Sequence, residues 1–128
     1  MADGPLQVEL VAADRTVWSG QATMVIARTV EGDVGVLKDH APLLSLLADA
    51  VVEIETGDET VVAAVDGGFI SVAHNRVSIL SEHAQLADEI DVKAAESELE
   101  EARSSEDDDA DARVRRAEVR LRAAEKAS

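Results

Sequence analysis

The chain has 128 residues and a hydrophobic content of 46%, which is enough for the core of one ordinary domain or of a small domain with an appendage. Its formal net charge of −15 makes nucleic acid and anionic lipid unfavourable partners, because both carry negative charge. The absence of cysteine excludes disulfides, thiolate metal sites and cysteine nucleophiles.

The first two-thirds of the chain predict short β-strands. Leu6, Val8 and Leu10 alternate with polar residues, a period of two that is typical of a half-buried strand. Further runs follow at close spacing, at residues 16–18, 22–27, 43–47, 51–55, 60–65, 69–72 and 77–80. Because no helical interval separates them, they predict an antiparallel β-sandwich or barrel of about ten strands and exclude a parallel βαβ fold.

Residues 28–47 contain the most distinctive pattern of this strand-rich part. Gly32 and Gly35 interrupt a β-branched run, and glycine this close to strands indicates tight turns with positive φ. The charged residues 38–40 then lead to Pro42 and an apolar strand. We expect a loop whose polar side chains point away from the domain, toward another molecule.

The composition changes after Leu86, where glycine and proline disappear and Ala, Glu and Arg dominate. Apolar residues then recur at 3-4-3 spacing, which places a stripe along each of two helices. The stripes comprise Val92, Ala95, Leu99 and Ala102, then Val114, Ala117, Leu121 and Ala124. A polar segment separates them, so we predict an antiparallel two-helix hairpin, with Asp91 as the N-cap of the first helix and residues 107–109 capping the second.

We therefore divide the chain into a β-sandwich domain of residues 1–86 and a helical hairpin of residues 87–128. Half of the eight stripe positions are alanine, and a buried methylene contributes only about 0.8 kcal/mol. The hairpin is expected to be weakly held and able to change position.

No motif predicts catalysis or metal binding. The histidines share no metal-ligand spacing, and no serine has the frame of a catalytic nucleophile. A calcium-like acidic pattern at 107–118 has Ala112 where the loop needs glycine, so helix capping explains it better. The sequence predicts a protein with no enzymatic activity, no metal and no cofactor.

The sequence also bears on location. No apolar run approaches the roughly 20 residues of a membrane-spanning helix, so direct membrane insertion is not expected. The N-terminal residues lack the basic and apolar regions of a secretory signal, which predicts a cytosolic protein.

Three blocks of sequence resemble the epsilon subunit of bacterial F-type ATP synthases. Residues 31–44 match the pattern acid-Gly-acid-aliphatic-Gly-aliphatic followed, after a short loop, by His-x-Pro-Leu-Leu. Residues 66–72 with 77–80 resemble a second block, and residues 89–91 resemble a third. The blocks occur in the family's order and spacing over essentially the whole chain.

The resemblance implies a β-sandwich followed by a two-helix hairpin, in agreement with the fold predicted from the patterns. It also implies a rotor subunit of the central stalk, one copy per complex, that couples proton flow through the c-ring to ATP synthesis. Its implied partners are the gamma subunit, the c-ring and the alpha/beta catalytic head. Its implied location is the cytoplasmic face of the cell membrane, where the complex holds it peripherally.

The resemblance also assigns contacts within residues 28–47. The implied c-ring contact comprises Glu31, Gly32, Asp33 and Lys38. The implied gamma-subunit contact comprises His40, Ala41, Pro42 and Leu43. Charged side chains at the edge of a protein interface influence the orientation in which the partners bind more than their affinity. The departure from the family lies at Lys38 and Asp39, where relatives often carry Pro-Gly or Pro-Arg.

Some relatives bind ATP at the start of the first helix through the pattern Ile-Asp-x-x-Arg-Ala. Ile90 and Asp91 match it, but Ala94 stands at the arginine position. Lys93 lies one residue early, about 100° around the helix. We expect a vestigial nucleotide site at Asp91 and Lys93, with weak or absent ATP binding.

The second predicted helix carries the main positive cluster of the chain. Its members are Arg113, Arg115, Arg116, Arg120 and Arg122. Pairing with acidic neighbours at i, i+4 would stabilise the helix by about 0.3 kcal/mol each. The resemblance implies instead that they contact acidic surfaces of the catalytic head when the hairpin extends, which hinders ATP hydrolysis. The sequence leaves both interpretations open.

Two other classes of protein also remain open at the level of sequence. A free-standing acidic β-sandwich adaptor with a helical tail would share the fold. A lipoyl or biotin carrier domain would explain a lone loop lysine, although such domains frame it as Asp-Lys-Ala or Met-Lys-Met, whereas Leu37 and Asp39 flank Lys38.

Overall fold

The computed structural model describes residues 5–127, in which ten strands form two five-stranded sheets around a shared core. Residues 1–4, which contributed to the expectation about a secretory signal, lie outside this range. The strands are β1 (Leu6–Val11), β2 (Thr16–Ala22), β3 (Met24–Thr29), β4 (Gly32–Leu37), β5 (Leu43–Leu46), β6 (Ala50–Glu55), β7 (Thr60–Val65), β8 (Phe69–Ala73), β9 (Arg76–Leu80) and β10 (Ala84–Leu86).

The first sheet has the order β2-β1-β9-β8-β5 and the second has the order β10-β7-β6-β3-β4. All neighbouring strands are antiparallel except β1 and β9, which pair in parallel from Gln7↔Arg76 to Val11↔Leu80. A parallel pair needs a long connection, and here β2 to β8 supply it without a crossover helix. The predicted β-sandwich of about ten strands is confirmed.

The core lies between the sheets and consists of aliphatic side chains. In β1, Leu6, Val8 and Leu10 are buried while Gln7 and Glu9 are exposed, as the alternation predicts. The largest fully buried side chains of the sandwich come from both sheets and include Leu6, Leu10, Ile54, Ile70 and Ile79. This burial is the main stabilising contribution of the domain.

Residues 28–47 differ from the predicted loop. Gly32–Leu37 form β4, which pairs with β3 from Met24↔Leu37 to Thr29↔Gly32. Gly32 has a positive φ of 131°, but Gly35 lies opposite Ile26 in the ladder, so the expected turn at Gly35 is wrong. The loop proper is only residues 38–42. Strand β10, three residues long, was not predicted.

The C-terminal part is an antiparallel pair of helices, α1 (Val92–Arg103) and α2 (Ala110–Ala127), which follow a short 3-10 turn at Ala87–Glu89. Asp91 is the N-cap of α1, since its Oδ1 accepts a hydrogen bond of 3.0 Å from the Ala94 N–H. Ala95, Ala102 and Ala117 of the predicted stripes are buried.

Helix α2 lies on the outer face of the second sheet. Its Val119 and Ala123, which are outside the predicted stripe, pack against Val62, Ala64 and Ala87. Strand β7 is therefore buried on both faces, an arrangement otherwise typical of sheets covered by helices. Within residues 5–127, no helix is long and apolar enough to cross a membrane.

Candidate functional site

The turn between β3 and β4 carries the first group of predicted contact residues. The Thr29 hydroxyl donates a hydrogen bond of 2.9 Å to the Gly32 carbonyl and accepts one of 3.1 Å from the Glu31 N–H. These bonds and the positive φ of Gly32 fix a tight turn. Glu31, Gly32 and Asp33 are all exposed at this tip, so they are available to another molecule.

The two acids of this turn are electrostatically different. Arg28 lies opposite Asp33 in the β3–β4 ladder, and its Nε is 2.8 Å from the Asp33 carboxylate. The hydrogen bond and charge of Arg28 lower the pKa of Asp33, so this carboxylate is ionised and already paired. Glu31 forms no ion pair within residues 5–127. It is therefore the uncompensated negative charge of the turn.

The loop of residues 38–42 is tied to the turn between β8 and β9. The Asn75 Oδ1 accepts a hydrogen bond of 2.6 Å from the Asp39 N–H, and the Asn75 Nδ2 donates one of 3.2 Å to Asp39. Asp39 and Asn75 both have positive φ, which Asn and Asp tolerate better than most residues. These hydrogen bonds preorganise the loop, although it has no proline at residue 38 or 39.

The predicted c-ring and gamma contacts are distributed along β4 and β5. Lys38 follows the C-terminal end of β4, whereas Asp33 lies near its start, and five residues of strand span about 16 Å. The structure therefore separates Lys38 from Glu31, Gly32 and Asp33. Among the predicted gamma contacts, Ala41 and Pro42 are exposed and His40 is half-buried. Leu43 packs against the core.

An apolar face that the sequence analysis did not identify lies beside these loops, on the outside of the first sheet. Leu46, Phe69 and Leu80 are direct cross-strand partners on β5, β8 and β9, and each is about half exposed. Leu44, on the same side of β5, is 74% exposed, and Val30 donates its N–H to the Leu46 carbonyl while its side chain is 62% exposed. We call Val30, Leu44, Leu46, Phe69 and Leu80 the apolar face.

The two sheets differ in what covers their outer faces. Helix α2 covers the second sheet with Val119 and Ala123. No element in the described part of the chain covers the apolar face of the first sheet. Large apolar side chains grouped in this way on an exposed sheet face indicate a contact surface for another protein.

A cavity of about 420 Å³ lies between the hairpin and the sandwich. It is lined by the carboxylates of Asp66, Asp91 and Glu98, by Arg113, Arg116 and Arg120, and by His83, Gln85, Ile90, Ala94, Ala95 and Ala117. Of the two residues predicted to form a vestigial nucleotide site, Asp91 lines the cavity, whereas Lys93 is exposed and does not line it. No group of side chains within residues 5–127 has the arrangement of a metal site.

Carboxylates of the chain itself pair with three of the predicted head-contacting arginines. Arg113 Nε lies 3.0 Å from Glu98 of α1, which with neighbouring acids raises the pKa of this guanidinium. Arg115 Nε lies 3.7 Å from Asp49. Arg120 Nη2 lies 3.0 Å from Asp66, and its Nε donates to Gln85 at 3.1 Å. Arg116 and Arg122 are exposed.

Comparison with known proteins bears directly on this arrangement. The family described as ATP synthase, Delta/Epsilon chain, beta-sandwich domain matches residues 5–87. The chain belongs to this family. A relative from Streptomyces avermitilis named ATP synthase epsilon chain is 60% identical over 119 residues, which cover 92% of this chain and 94% of the relative. One of the same name from Rhodococcus jostii is 49% identical over 124 residues, covering 95% and 98%.

Solved structures of this family's assemblies share the fold. A chain of the Euglena gracilis mitochondrial ATP synthase, in a structure of OSCP/F1/c-ring, is similar with a TM-score of 0.72 and 27% identity, covering 95% of this chain and 78% of that one. A chain of the Tetrahymena thermophila central stalk/c-ring structure has a TM-score of 0.64 at 13% identity, which shows the fold alone. The resemblance noted in the sequence is therefore confirmed.

Proposed function

We propose that the chain is a non-catalytic rotor subunit of the ATP synthase central stalk, bound to the gamma subunit and resting on the c-ring. The observation that carries the proposal is the uncovered apolar face, in a protein whose relatives are subunits of ATP synthase. In this role it lies at the cytoplasmic face of the cell membrane, held peripherally by the complex in one copy. Family membership favours this role over an adaptor or a lipoyl or biotin carrier.

The apolar face is the proposed seat of the gamma subunit. Its central row, Leu46, Phe69 and Leu80, crosses three strands of one rigid sheet, so its shape is fixed before any partner binds. Burying such side chains is the usual main contribution at the centre of a protein interface. The exposed residues Ala41 and Pro42 and the neighbouring His40 extend the same side of the sandwich and would lie at the rim.

Substitution at the centre of the apolar face tests this proposal. Leu46→Asp with Phe69→Asp places two charges where the gamma subunit would bury them, and burying an unpaired charge is strongly unfavourable. We expect the variant to be lost from purified ATP synthase, by at least about tenfold on quantitative gels. The isolated variant should keep the circular dichroism of the unsubstituted chain, because both side chains already face solvent.

Val92→Asp is the matched control, since Val92 is also an exposed apolar residue, 44% exposed, but lies at the start of α1 away from this sheet. It should remain in the complex at the normal level. The gamma-contact proposal is wrong if the double variant stays in the complex as fully as the control.

The turn between β3 and β4 is the proposed contact with the c-ring. Because Arg28 already neutralises Asp33, we expect Glu31 to carry most of the electrostatic effect. Glu31→Lys should weaken ATP-driven proton pumping in membrane vesicles, and adding Asp33→Lys should weaken it further. Glu59→Lys, an equal charge change in the exposed β6–β7 turn at the opposite end of β3, should leave pumping intact. Undiminished pumping by Glu31→Lys would remove this contact from the proposal.

The cavity beside Asp91 is proposed to bind ATP weakly or not at all. Glu98 and Asp66 already occupy Arg113 and Arg120, so a triphosphate would have to displace two of the chain's own carboxylates. Ala94 adds no positive charge at this point. Calorimetric titration should detect no micromolar binding, and Ala94→Arg should strengthen whatever binding there is. Micromolar affinity in the unsubstituted chain would overturn this expectation.

The hairpin is proposed to hinder ATP hydrolysis when it leaves the sandwich and presents its arginines to the catalytic head. In the structure Arg115 and Arg120 contact the sandwich, so only a released hairpin would offer them. Deletion of residues 87–128 should raise the hydrolysis rate of the assembled enzyme. An unchanged rate would remove the inhibitory role and leave the rotor role intact.

A further inference from the structure

The contact between α2 and the sandwich contains very little apolar surface. The buried residues of α2 in this contact are Val119 and Ala123, which meet the buried Val62, Ala64 and Ala87, and the partly buried Val51 and Ile90 pack against this cluster. Three of the five buried side chains are alanines, each of which offers a single methyl group.

Within residues 5–127, ion pairs of Arg115, Arg120 and Lys126 surround this small apolar contact, and in each the cation comes from α2 and the carboxylate from the sandwich. Arg115 lies 3.7 Å from Asp49, Arg120 lies 3.0 Å from Asp66, and Lys126 lies 3.5 Å from Glu53. Arg115 and Lys126 are eleven residues apart, about three helical turns, so they lie on the same side of α2 at opposite ends of the contact.

The pair of Arg120 with Asp66 is the most enclosed of the three. The side chain of Asp66 is 5% exposed and that of Arg120 is 26% exposed. Arg120 also donates to Gln85 of β10, so one guanidinium links α2 to two separate segments of the sandwich. A partly buried pair with an additional hydrogen bond is screened by salt less than an exposed pair and is the strongest of the set.

We propose that Asp49, Glu53 and Asp66 form an electrostatic latch that holds α2 on the sandwich and sets how often the hairpin is released. The latch itself does not depend on the proposed function, but its effect on ATP hydrolysis does. Arg115 and Arg120, two of the cations that it holds, are also arginines proposed to contact the catalytic head. A guanidinium held by a carboxylate of the sandwich is unavailable to an acidic partner surface. Docking and head contact therefore exclude one another, and the sandwich carboxylates compete with the head for α2.

The latch makes a measurable prediction on the isolated full-length chain. Because the chain has no cysteine, spin labels can be attached at Asp58→Cys in the β6–β7 turn and Asp108→Cys in the loop between the helices. Electron-paramagnetic-resonance distances should show one docked population at low salt. Raising the salt concentration to about 0.5 M, where the screening length falls to roughly 4 Å, should shift part of it to longer distances.

Neutralising the latch should mimic high salt. Asp49→Asn, Glu53→Gln and Asp66→Asn together keep side-chain size but remove all three carboxylates, and we expect the ratio of docked to released chains to fall about tenfold. The salt dependence should largely disappear in this variant. Glu9→Gln, Glu31→Gln and Glu96→Gln remove the same charge from exposed sites outside the contact and should leave both the distances and their salt dependence unchanged.

Exchanging the charges of one ion pair distinguishes the effect of that pair from the effect of a change in net charge. Arg115→Glu alone should shift part of the docked population to longer distances, and adding Asp49→Lys should reverse that shift, because the pair is re-formed with reversed signs. Trp18 fluorescence reports whether the sandwich itself remains folded. If salt, the neutral variant and the exchanged pair all leave the distance distribution unchanged, the apolar contact alone holds α2 and the latch is wrong. That result would not affect the rotor assignment, which is tested by copurification.

Discussion

In the sandwich, Leu10, Ile54 and Ile79 are fully buried between two sheets, whereas in the hairpin the buried residues are one valine and several alanines. The sandwich is stabilised by area removed from water, a contribution that has no preferred direction and is not screened by salt as an ion pair is. The hairpin depends more on ion pairs, which need a partner at a set position and weaken when that partner is changed. The same chain thus contains one rigid unit, held by apolar burial, and a second unit that depends more on charge.

This difference fits the division of roles. A surface that must keep its shape during rotation belongs on the rigid unit, and the apolar face and the β3–β4 turn are both there. An element that changes position during regulation is expected among the parts of a structure with the lowest local stability. Matched pairs of variants, one in each region or one at each of two similar turns, test whether the two regions differ in this way.

The largest effect is expected at Gly68, where backbone packs on backbone inside the rigid unit. Gly68 has φ of 109°, and an added Cβ would overlap the carbonyl group of Leu80. Gly68→Ala should lower the free energy of unfolding by about 3–5 kcal/mol, combining strain with overpacking. Urea unfolding followed by Trp18 fluorescence measures it.

Gly57→Ala is the control for Gly68→Ala, since Gly57 has a similar φ of 97° but nothing lies within 4 Å of an added Cβ. Strain alone should cost about 1–2 kcal/mol there. Equal losses at the two glycines would mean that the close approach at Leu80 relaxes easily, and that the sandwich is less rigid at the edge of the apolar face than the structure indicates.

The second prediction compares the two regions directly, through a valine-to-alanine substitution in each. Val52 in the sandwich and Val119 in α2 are both fully buried, with exposures of 0% and 1%. Val52→Ala should lower the free energy of unfolding of the sandwich by about 2–3 kcal/mol, from lost transfer energy and a cavity. Val119→Ala should shift the Trp18 transition by less than about 0.5 kcal/mol while increasing amide exchange throughout α2.

Equal shifts of the Trp18 transition in these two variants would contradict the comparison. The hairpin and the sandwich would then unfold as one cooperative unit. The release of α2 proposed above would in that case require unfolding of the sandwich as well.

The sequence predicts most of the sandwich because a strand with one buried face leaves a local period of two, as in Leu6–Val11. It fails at β4, where Gly32 and Gly35 are typical of turns but Gly35 is held in the ladder by pairing with β3. It also fails at β10, because three residues are too few to show alternation. In each case the deciding interaction is pairing with another strand, β3 for β4 and β7 for β10.

The sequence also fails to predict the contacts of the candidate sites that join distant parts of the chain. A stripe on α2 predicts one buried face, but this helix also packs against the sandwich through Val119 and Ala123. Arg120 and Asp66 are 54 residues apart, so no local pattern predicts their pairing. The apolar face depends on which strands become neighbours: Phe69 alone indicates a strand residue, and only its alignment with Leu46 and Leu80 makes a surface.

An effect smaller than those at Gly68 and Val52 is predicted at the junction of the two regions, where Glu89 follows β10. Both Glu89 oxygens accept from Arg15, at 2.8 and 3.0 Å, and Oε1 also accepts from the Leu86 N–H at 3.0 Å. These hydrogen bonds, that of Arg15 first, lower the pKa of Glu89 from its usual value of 4.5. The stabilisation is therefore complete above that usual value and is lost as the pH falls through the lower pKa of the folded state.

Glu89→Gln removes this pH-dependent contribution. Because the two side chains are 42% and 36% exposed, solvent screening limits the effect to under about 1 kcal/mol. The difference in unfolding free energy between the unsubstituted chain and Glu89→Gln should be present at neutral pH and should shrink in acid, whereas Glu96→Gln, at an exposed site on α1, should show no such pH-dependent difference. A Glu89→Gln difference that stays constant with pH would mean that the amide loses shape or hydrogen bonding rather than charge. Packing and hydrogen-bond geometry would then stabilise the junction, as packing stabilises the sandwich, and charge would contribute less there than it does in the hairpin.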